Sequence, residues 1–554
     1  MYNFQLFFKK QGFWKIYVEH LWKYIIFRNL ALFILVRIRY NLYIKETNMT
    51  FFNIFTLIGN ILNIIFIIFV LFFERKEAGR RFAWLLALVF LPVVGMILYI
   101  LCSGHFFTTT KKMERIRKYI FSLTSPFINE QKDFYLKNKT SIKNESLTGF
   151  DDILTMNLIN ANANITFTES TEIYTSGHDM FEALCADLEN AKDFIYMQFF
   201  IFHKDKIGSR IMDILCRKAQ EGVDVKLLYD DVGSILTPSL FFSKLDKAGG
   251  QSLPFFPVRI GAPLTLNFRN HRKNVIIDGK IGYLGGMNVG DEYIVGLKKN
   301  PKYPWRDTHL RLTGNCILSM LQFFLIDWQS SAYGKKALKT TSKVADYYPL
   351  EKFEALHKQI LDDLKNDIPG DNKIPTQVVS SGPNDMSKAE IRDMMIRMIM
   401  DAKESVYLQT PYFTPDEAFS SALKIAAISG KDIRIMIPEK WDKAYVKAAA
   451  MEFIREIQPF GVKFYAYPGF IHAKTLVVDG KIVTIGTTNI DTRSFELHFE
   501  MNIVFFDAPF AKKNQNIFLE DQKKCKQVYK EKLDKASIVR RTIWGFCKLF
   551  SPLM

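Results

Sequence analysis

Two α/β domains built on one plan, preceded by a pair of membrane-spanning helices, are what this sequence predicts. Three observations carry that expectation: two uncharged apolar runs, a strand–helix order that recurs in two halves, and a ten-residue motif that closes each half. At 554 residues the chain is too long for one ordinary core and suits two globular units plus an appendage. Hydrophobic residues make up 48% and charged residues 24%, so most of the chain is expected to fold. The formal net charge of +17 calls for an anionic partner, whether nucleic acid, an acidic bilayer surface or a phosphorylated substrate. Six cysteines lie scattered among apolar neighbours, none within four residues of another. That excludes a zinc knuckle or CxxC pair and reads as reduced thiols in a cytosolic setting.

Residues 1–48 form a basic, aromatic extension. Tyr24 to Ile44 is apolar but broken by Arg28, Arg37 and Arg39, which suits an interfacial helix. It also suits an upstream extension with Met49 as the usual start, and no cleavable signal peptide fits. Residues 49–104 read as a transmembrane hairpin. Phe52–Phe73 and Phe82–Leu101 are runs of 22 and 20 residues without a charge. At about 1.5 Å per residue each can cross a hydrocarbon core of roughly 30 Å. Basic residues on both flanks place both ends in the cytoplasm, although Arg75, Lys76, Arg80 and Arg81 in the turn oppose that orientation. The polar stretch 105–170 reads as a connector.

The repeat begins near residue 171. In the first half, 171–350, helix Gly177–Ala191 leads to strand Asp193–Phe202, then helix Ser209–Glu221 and strand Asp224–Tyr229. In the second half, 351–554, helix Ser387–Ala402, strand Ser405–Phe413, helix Asp416–Ser429 and strand Asp432–Pro438 repeat the order. Each half then presents an Asp-Gly turn between apolar strands, the signature of a tight hairpin.

Those hairpins carry the chemistry. Both contain His-x-Lys-x4-Asp: His271, Lys273 and Asp278, then His472, Lys474 and Asp479. Side chains two apart on an extended strand share a face, so each His and Lys point the same way. Two such strands meeting across a pseudo-twofold would gather two imidazoles and two ammonium groups around one phosphodiester. The lysines neutralise its oxygens. One neutral imidazole attacks phosphorus, and the other, protonated, donates to the departing alkoxide. Lysine supplies the positive charge, so no metal or other cofactor is expected. The motif aspartates complete the candidate catalytic set, although their parity and nearness to the turn favour a structural role.

With Gly285, Gly286 and Asn288 following the first motif and Gly486 and Asn489 the second, the chain resembles the phospholipase D superfamily, and within it the bacterial cardiolipin synthases. Trp305-Arg-Asp-Thr-His-Leu, Asp327-Trp328, Gln377-Val-Val-Ser-Ser-Gly-Pro, Asp491-Thr-Arg-Ser-Phe-Glu-Leu and Ser551-Pro-Leu extend the resemblance from Met49 to the end. It implies two phospholipase D-like α/β sandwich domains related by pseudo-twofold symmetry. It also implies synthesis of cardiolipin plus glycerol from two phosphatidylglycerols, with His271 as nucleophile and His472 as acid and base. Asn288 and Asn489 would help hold the phosphate, and Asp307 and Glu500 would orient the imidazoles in a pairing the sequence leaves open. Gln198, Trp441–Ala450 and His498 depart from the family pattern at substrate-side or packing positions. The seven histidines outside the motifs, His498 included, read as structural or solvated.

The expected partners are phosphatidylglycerol and other anionic lipids of a bacterial cell membrane, not nucleic acid. A phospholipase D or another phosphatidyltransferase fits the motifs equally well. A nuclease suits the charge but not two spans directly before the catalytic part.

Overall fold

The computed structural model describes residues 51–74, 78–102, 118, 129–138, 147–257, 267–296, 304–331, 350–365, 373–383 and 389–551. The extension 1–48 lies outside the described residues, as does most of the stretch 331–375. The chain divides into two units, residues 1–99 and 100–554.

In the first unit one helix, Phe51–Phe73, is long and apolar enough to cross a membrane. Its window Thr56–Phe73 has a mean hydropathy of 2.5 and is 17% buried, leaving Ile58, Ile61, Ile65 and Phe72 exposed. The second predicted span is corrected. It is two helices, Ala78–Phe90 and Pro92–Cys102, folded back on each other at Leu91. Thirteen residues reach only about 20 Å, short of the bilayer core. Pro92 is the physical reason. It has no N–H to give the Leu88 carbonyl four residues earlier, and the Asn63 amide donates to that oxygen instead, at 3.1 Å. The fold-back brings Gly95 against the Ala87 carbonyl, where a Cβ would stand 2.3 Å away. It also brings Tyr99 edge-on to Trp84, with its hydroxyl donating to Glu74 at 3.0 Å.

Among the described residues of the second unit, fifteen strands form one large sheet. The first half supplies β1 (Ile165–Tyr174), β2 (Phe194–Phe199), β3 (Asp224–Asp230), β4 (Gln251–Phe255), β5 (Asn274–Ile277), β6 (Ile281–Gly285) and β7 (His309–Gly314). The second supplies β8 (Ile374–Ser381), β9 (Ser405–Gln409), β11 (Asp432–Pro438), β12 (Lys463–Tyr467), β13 (Thr475–Val478), β14 (Ile482–Gly486), β16 (Glu500–Phe505) and β17 (Lys526–Val528). Short strands β10 (Phe413–Thr414) and β15 (Ile490–Asp491) pair separately. The order β17-β12-β11-β9-β13-β14-β16-β8-β1-β7-β6-β5-β2-β3-β4 reads the same from both ends once β17 is set aside. β1 pairs antiparallel with β8, so the pseudo-twofold passes between them.

In each half three strands run parallel through helical crossovers, β2-β3-β4 and β9-β11-β12, as strands buried on both faces do. The motif hairpins β5–β6 and β13–β14 are antiparallel beside them. Asp278 and Gly279 have φ of 53° and 64°, and Asp479 and Gly480 have 55° and 60°. Positive φ at both central residues is the type I′ turn expected of Asp-Gly. One apolar cluster runs from Tyr196, Leu228 and Phe255 of the first half through Phe324 and Trp328 to Val477, Phe499 and Phe505 of the second.

The connector expected over 105–170 does not end where the sequence suggested. β1 starts at Ile165, Ile153, Leu154 and Leu158 are buried in the core, and the Gln131 amide both donates to and accepts from the Ile165 backbone at 2.8 Å. The described cysteines Cys185, Cys216, Cys316, Cys525 and Cys547 are free thiols.

Candidate active site

His271 and His472 sit on extended backbone just before β5 and β13, and each is bridged to the other half. The His271 N–H donates to the Phe499 carbonyl at 3.0 Å, and the His472 N–H to the Arg306 carbonyl at 2.7 Å. Those partners immediately precede Glu500 and Asp307, so the carboxylates cross over. His271 Nδ1 lies 2.9 Å from Glu500 Oε1, and His472 Nδ1 lies 2.6 Å from Asp307 Oδ2. Each imidazole is thus oriented by the opposite half. An Nδ1–H held by a carboxylate leaves the Nε2 lone pair free. Both histidines line one pocket of about 330 Å³ together with Asn288, Asn489, Trp305, Tyr412, Lys443 and His498.

The other candidates divide. Lys273 and Lys474 are buried beneath their own histidines, and Lys474 Nζ is 2.8 Å from His472 Nδ1. The Asn288 amide accepts from the Ile201 N–H at 3.1 Å and donates to the Tyr293 hydroxyl at 3.2 Å. The Asn489 Oδ1 is buried with no hydrogen-bond partner among the described residues. Asp278 and Asp479 do not join the cluster, which corrects their place in the catalytic set. The Asp278 carboxylate accepts the N–H groups of Lys192, Asp193 and Phe194 at 2.8–2.9 Å. Asp479 does the same for Lys403, Glu404 and Ser405 at 2.7–2.8 Å. The hairpin turn aims them at the start of the neighbouring strand, away from the pocket. Asp278→Ala is therefore expected to lower stability by about 1–3 kcal/mol while leaving kcat per folded molecule within about twofold. Denaturant titration beside an active-site count checks this.

Several site residues escaped the sequence reading. His498 is not merely structural: it lines the pocket with its ring centroid 5.6 Å from that of His271, its Nδ1 lies 3.9 Å from Glu500 Oε1, and neither of its buried nitrogens has a hydrogen-bond partner among the described residues. Its departure from the family pattern was the available signal. Thr487 donates to the Glu500 carboxylate. The matching position in the first half is Gly286, where a Cβ would stand 2.1 Å from the Asp307 carboxylate. The buried Arg272 carries its motif strand across the pseudo-twofold, pairing with Asp327 and donating to the Glu500 carbonyl at 3.1 Å. Asn270 and Gln198 also donate to Asp327, at 2.9 and 2.5 Å. In the second half Gln409 donates to Asp521 at 3.3 Å, and Arg306 reaches the same carboxylate from the first half at 2.9 Å.

Burial dominates the electrostatics. It pushes His271 well below its ordinary value, helped by the Lys273 ammonium. Burial and the Lys474 ammonium push His472 down to about 4. Burial alone would lift Asp307, but Lys474 and His472 outweigh it and hold the carboxyl below its usual range. For Glu500 burial wins over Lys273 and lifts the group to about 8. The second-half pair thus has an ionised carboxylate suited to a transient imidazolium, and the first-half pair favours a neutral ring. Two groupings among the described residues bring three metal-capable atoms within 4.8 Å: His271, His498 and Glu500, and His203, Asp205 and Glu292. In the first, His271 and Glu500 already engage each other. In the second, Asp205 accepts the Gly208 and Asp291 N–H groups at 2.9 and 2.6 Å.

The profile described as "Cardiolipin synthase, PLD-like domain" matches residues 184–298 and 395–522, one segment in each half. A cardiolipin synthase of Listeria welshimeri serovar 6b is 40% identical over 491 residues, covering 87% of this chain and 95% of the relative. The chain belongs to the cardiolipin synthase family of phosphatidyltransferases. The major cardiolipin synthase ClsA of Bacillus subtilis is 37% identical over 500 residues, again covering 87% of this chain and 95% of the relative. A profile described as "Phospholipase_D-nuclease N-terminal" matches residues 61–104, the helical unit. Among solved structures, the phosphatidylserine synthase of Haemophilus influenzae aligns with a TM-score of 0.54 and 14% identity, covering 74% of this chain and all of that one. This likeness establishes the phospholipase D-like fold.

Within a cardiolipin synthase pocket the departures take on meaning. Asp442, Lys443, Tyr445 and Val446, from the segment that departs from the family pattern, line the cavity. Gln198 supports Asp327 behind it. Burial pushes the Lys474 ammonium down to about 8, against the opposing pull of Asp307 and Glu500. Its charge is present below that value and lost above it. On the alkaline side kcat/KM is expected to fall about tenfold per pH unit. Lys474→Arg stays charged throughout, so its pH profile should keep activity to higher pH at reduced rate. A fall that remains near pH 8 in the variant assigns the ionisation to another group.

Proposed function

We propose that this chain joins two phosphatidylglycerol molecules into cardiolipin and releases glycerol, in a pocket facing a membrane that its Phe51–Phe73 helix crosses. The observation that carries the reading is the crossed pairing: two imidazoles in one cavity, each oriented by a carboxylate from the other half. His271 Nε2 attacks the phosphorus of the first lipid, and the bond to its headgroup glycerol oxygen breaks as His472, entering this step as an imidazolium held by the Asp307 carboxylate, delivers its Nε2 proton to that oxygen. A hydroxyl of the second lipid then gives its proton to His472 and attacks phosphorus, breaking the P–N bond. Lys273, Lys474, Asn288 and Asn489 hold the phosphate oxygens. One phosphodiester replaces another, so the exchange is near neutral in free energy. A closed, lipid-facing pocket limits competition from water.

We read the helical unit as the anchor and residues from about 147 onward as the catalytic part. The basic residues that follow the membrane helix and the fold-back pair support a cytoplasmic location for the catalytic halves. The test is the full-length protein with headgroup-labelled phosphatidylglycerol in vesicles. Cardiolipin and glycerol in equal amounts support the reading. Phosphatidic acid as the main product would make the chain a phospholipase D, and labelled product only with an added amino alcohol would make it a different phosphatidyltransferase.

A further inference from the structure

Ile235 and Leu236 are 70% and 84% exposed on the turn that leads from β3 into the helix Ser239–Lys247, and Leu240, in the first turn of that helix, is 75% exposed. Large apolar side chains held this far out, side by side, mark a surface meant to be covered. The turn is firmly built. The Ile235 N–H donates to the Val232 carbonyl at 3.3 Å, and the Thr237 N–H to the Ser234 carbonyl at 2.8 Å. The Thr237 hydroxyl donates to the Phe202 carbonyl at 2.7 Å, and the Ser234 hydroxyl accepts from the Phe202 N–H at 3.0 Å. Gly233 sits so close to Phe200 that a Cβ would stand 2.1 Å from its carbonyl oxygen. The apolar tip is therefore latched to the pocket, because Phe200 and Val232 both line it.

The second half contributes a matching element. Tyr445, 51% exposed, lines the same pocket at the start of the helix Ala444–Ile457. The C-terminal helix Ile538–Leu549 packs beside that start through Trp544. It turns Val539, Ile543 and Phe546 outward at i, i+4 and i+7, an apolar stripe with no covering element among the described residues. Arg540 and Arg541 accompany it.

We propose that these two elements, the turn 235–240 and the outer face of the C-terminal helix, dip into the headgroup layer of an anionic bilayer and seat the pocket on it. The proposal rests on the lipid-transfer reading and specifies the surface that makes it interfacial. Three observations favour a bilayer over a protein partner. The chain has a helix long and apolar enough to cross a membrane and a net charge of +17, and the turn borders a pocket whose lining includes Lys443 and Arg493 beside Asp442 and Asp491. Rigid apolar tips beside basic side chains match an interface that is greasy below and negative above.

The experiment uses the full-length protein reconstituted in phosphatidylglycerol vesicles. A Leu236→Trp variant should show blue-shifted emission at position 236 and at least twofold more quenching by lipids brominated near the headgroup than the wild-type background. This readout needs no turnover, so it stands apart from failure of the transfer reading. A blue shift without quenching means that protein covers the tip and overturns the proposal, as does no shift at all. An Ile235→Glu, Leu236→Glu double variant should lose about tenfold or more of its activity on bilayer phosphatidylglycerol. It should keep activity within twofold on a short-chain phosphatidylglycerol held below its critical micelle concentration. Equal activity on both substrates, or equal loss on both, overturns the proposal.

Discussion

Alanine in place of His271 or of His472 is expected to reduce phosphatidyl transfer by on the order of 10⁴-fold or more, with little change in melting temperature. Each ring is held by the crossed carboxylate, His472 also by Lys474 Nζ at 2.8 Å and the Tyr293 hydroxyl at 3.3 Å, and each lines the pocket. Its loss therefore removes chemistry rather than core. The two variants should differ in kind. A phosphatidyl ester with an aryl leaving group needs no proton at departure. With it His472→Ala should still form a phosphoenzyme in rapid-quench experiments, and His271→Ala should not. A phosphoenzyme in His271→Ala but not in His472→Ala would reverse the two roles.

The next largest effect is expected from the carboxylates. Glu500→Gln and Asp307→Asn each put an amide, whose NH2 can face Nδ1, where a carboxyl group fixes the imidazole tautomer, a change that costs about 10⁴-fold in kcat for a comparable carboxylate–histidine pair. The crossed geometry makes a sharper forecast. Glu500→Gln, in the second half, should impair the step made by first-half His271 and resist rescue by an aryl leaving group. Asp307→Asn, in the first half, should impair proton delivery by His472 and be largely rescued by it. Pairing within each half would produce the reverse pattern, and rapid-quench kinetics with the two leaving groups decides between them.

Much of the fold and the site was legible in the chain itself. The Asp-Gly turns, the strand–helix order that recurs in the two halves and the two His-x-Lys pairs 201 residues apart each rest on local features, written in residues a few positions apart. Local geometry fixes them: an Asp-Gly pair supplies two positive φ values, and side chains two apart on extended backbone share a side. The apolar run Phe51–Phe73 is legible for the same reason, since length and composition suffice. The second run shows the limit of that reading. Its hydropathy looked like a span, yet Pro92 frees the Leu88 carbonyl and a side chain from the other helix accepts the role of partner.

What only the tertiary structure decided is who meets whom. The sequence marked Asp307 and Glu500 without their partners, because the pairing depends on backbone bridges between stretches about 165 to 229 residues apart. It marked Asp278 and Asp479 as motif members, but the turn directs each carboxylate to three N–H groups of a neighbouring strand. It could not set His498 beside His271, or latch an apolar turn to the rim of the pocket. A residue's identity and spacing determine its own backbone and its chemical repertoire. Its neighbours across a sheet are set by the packing of the whole chain, which no short stretch encodes.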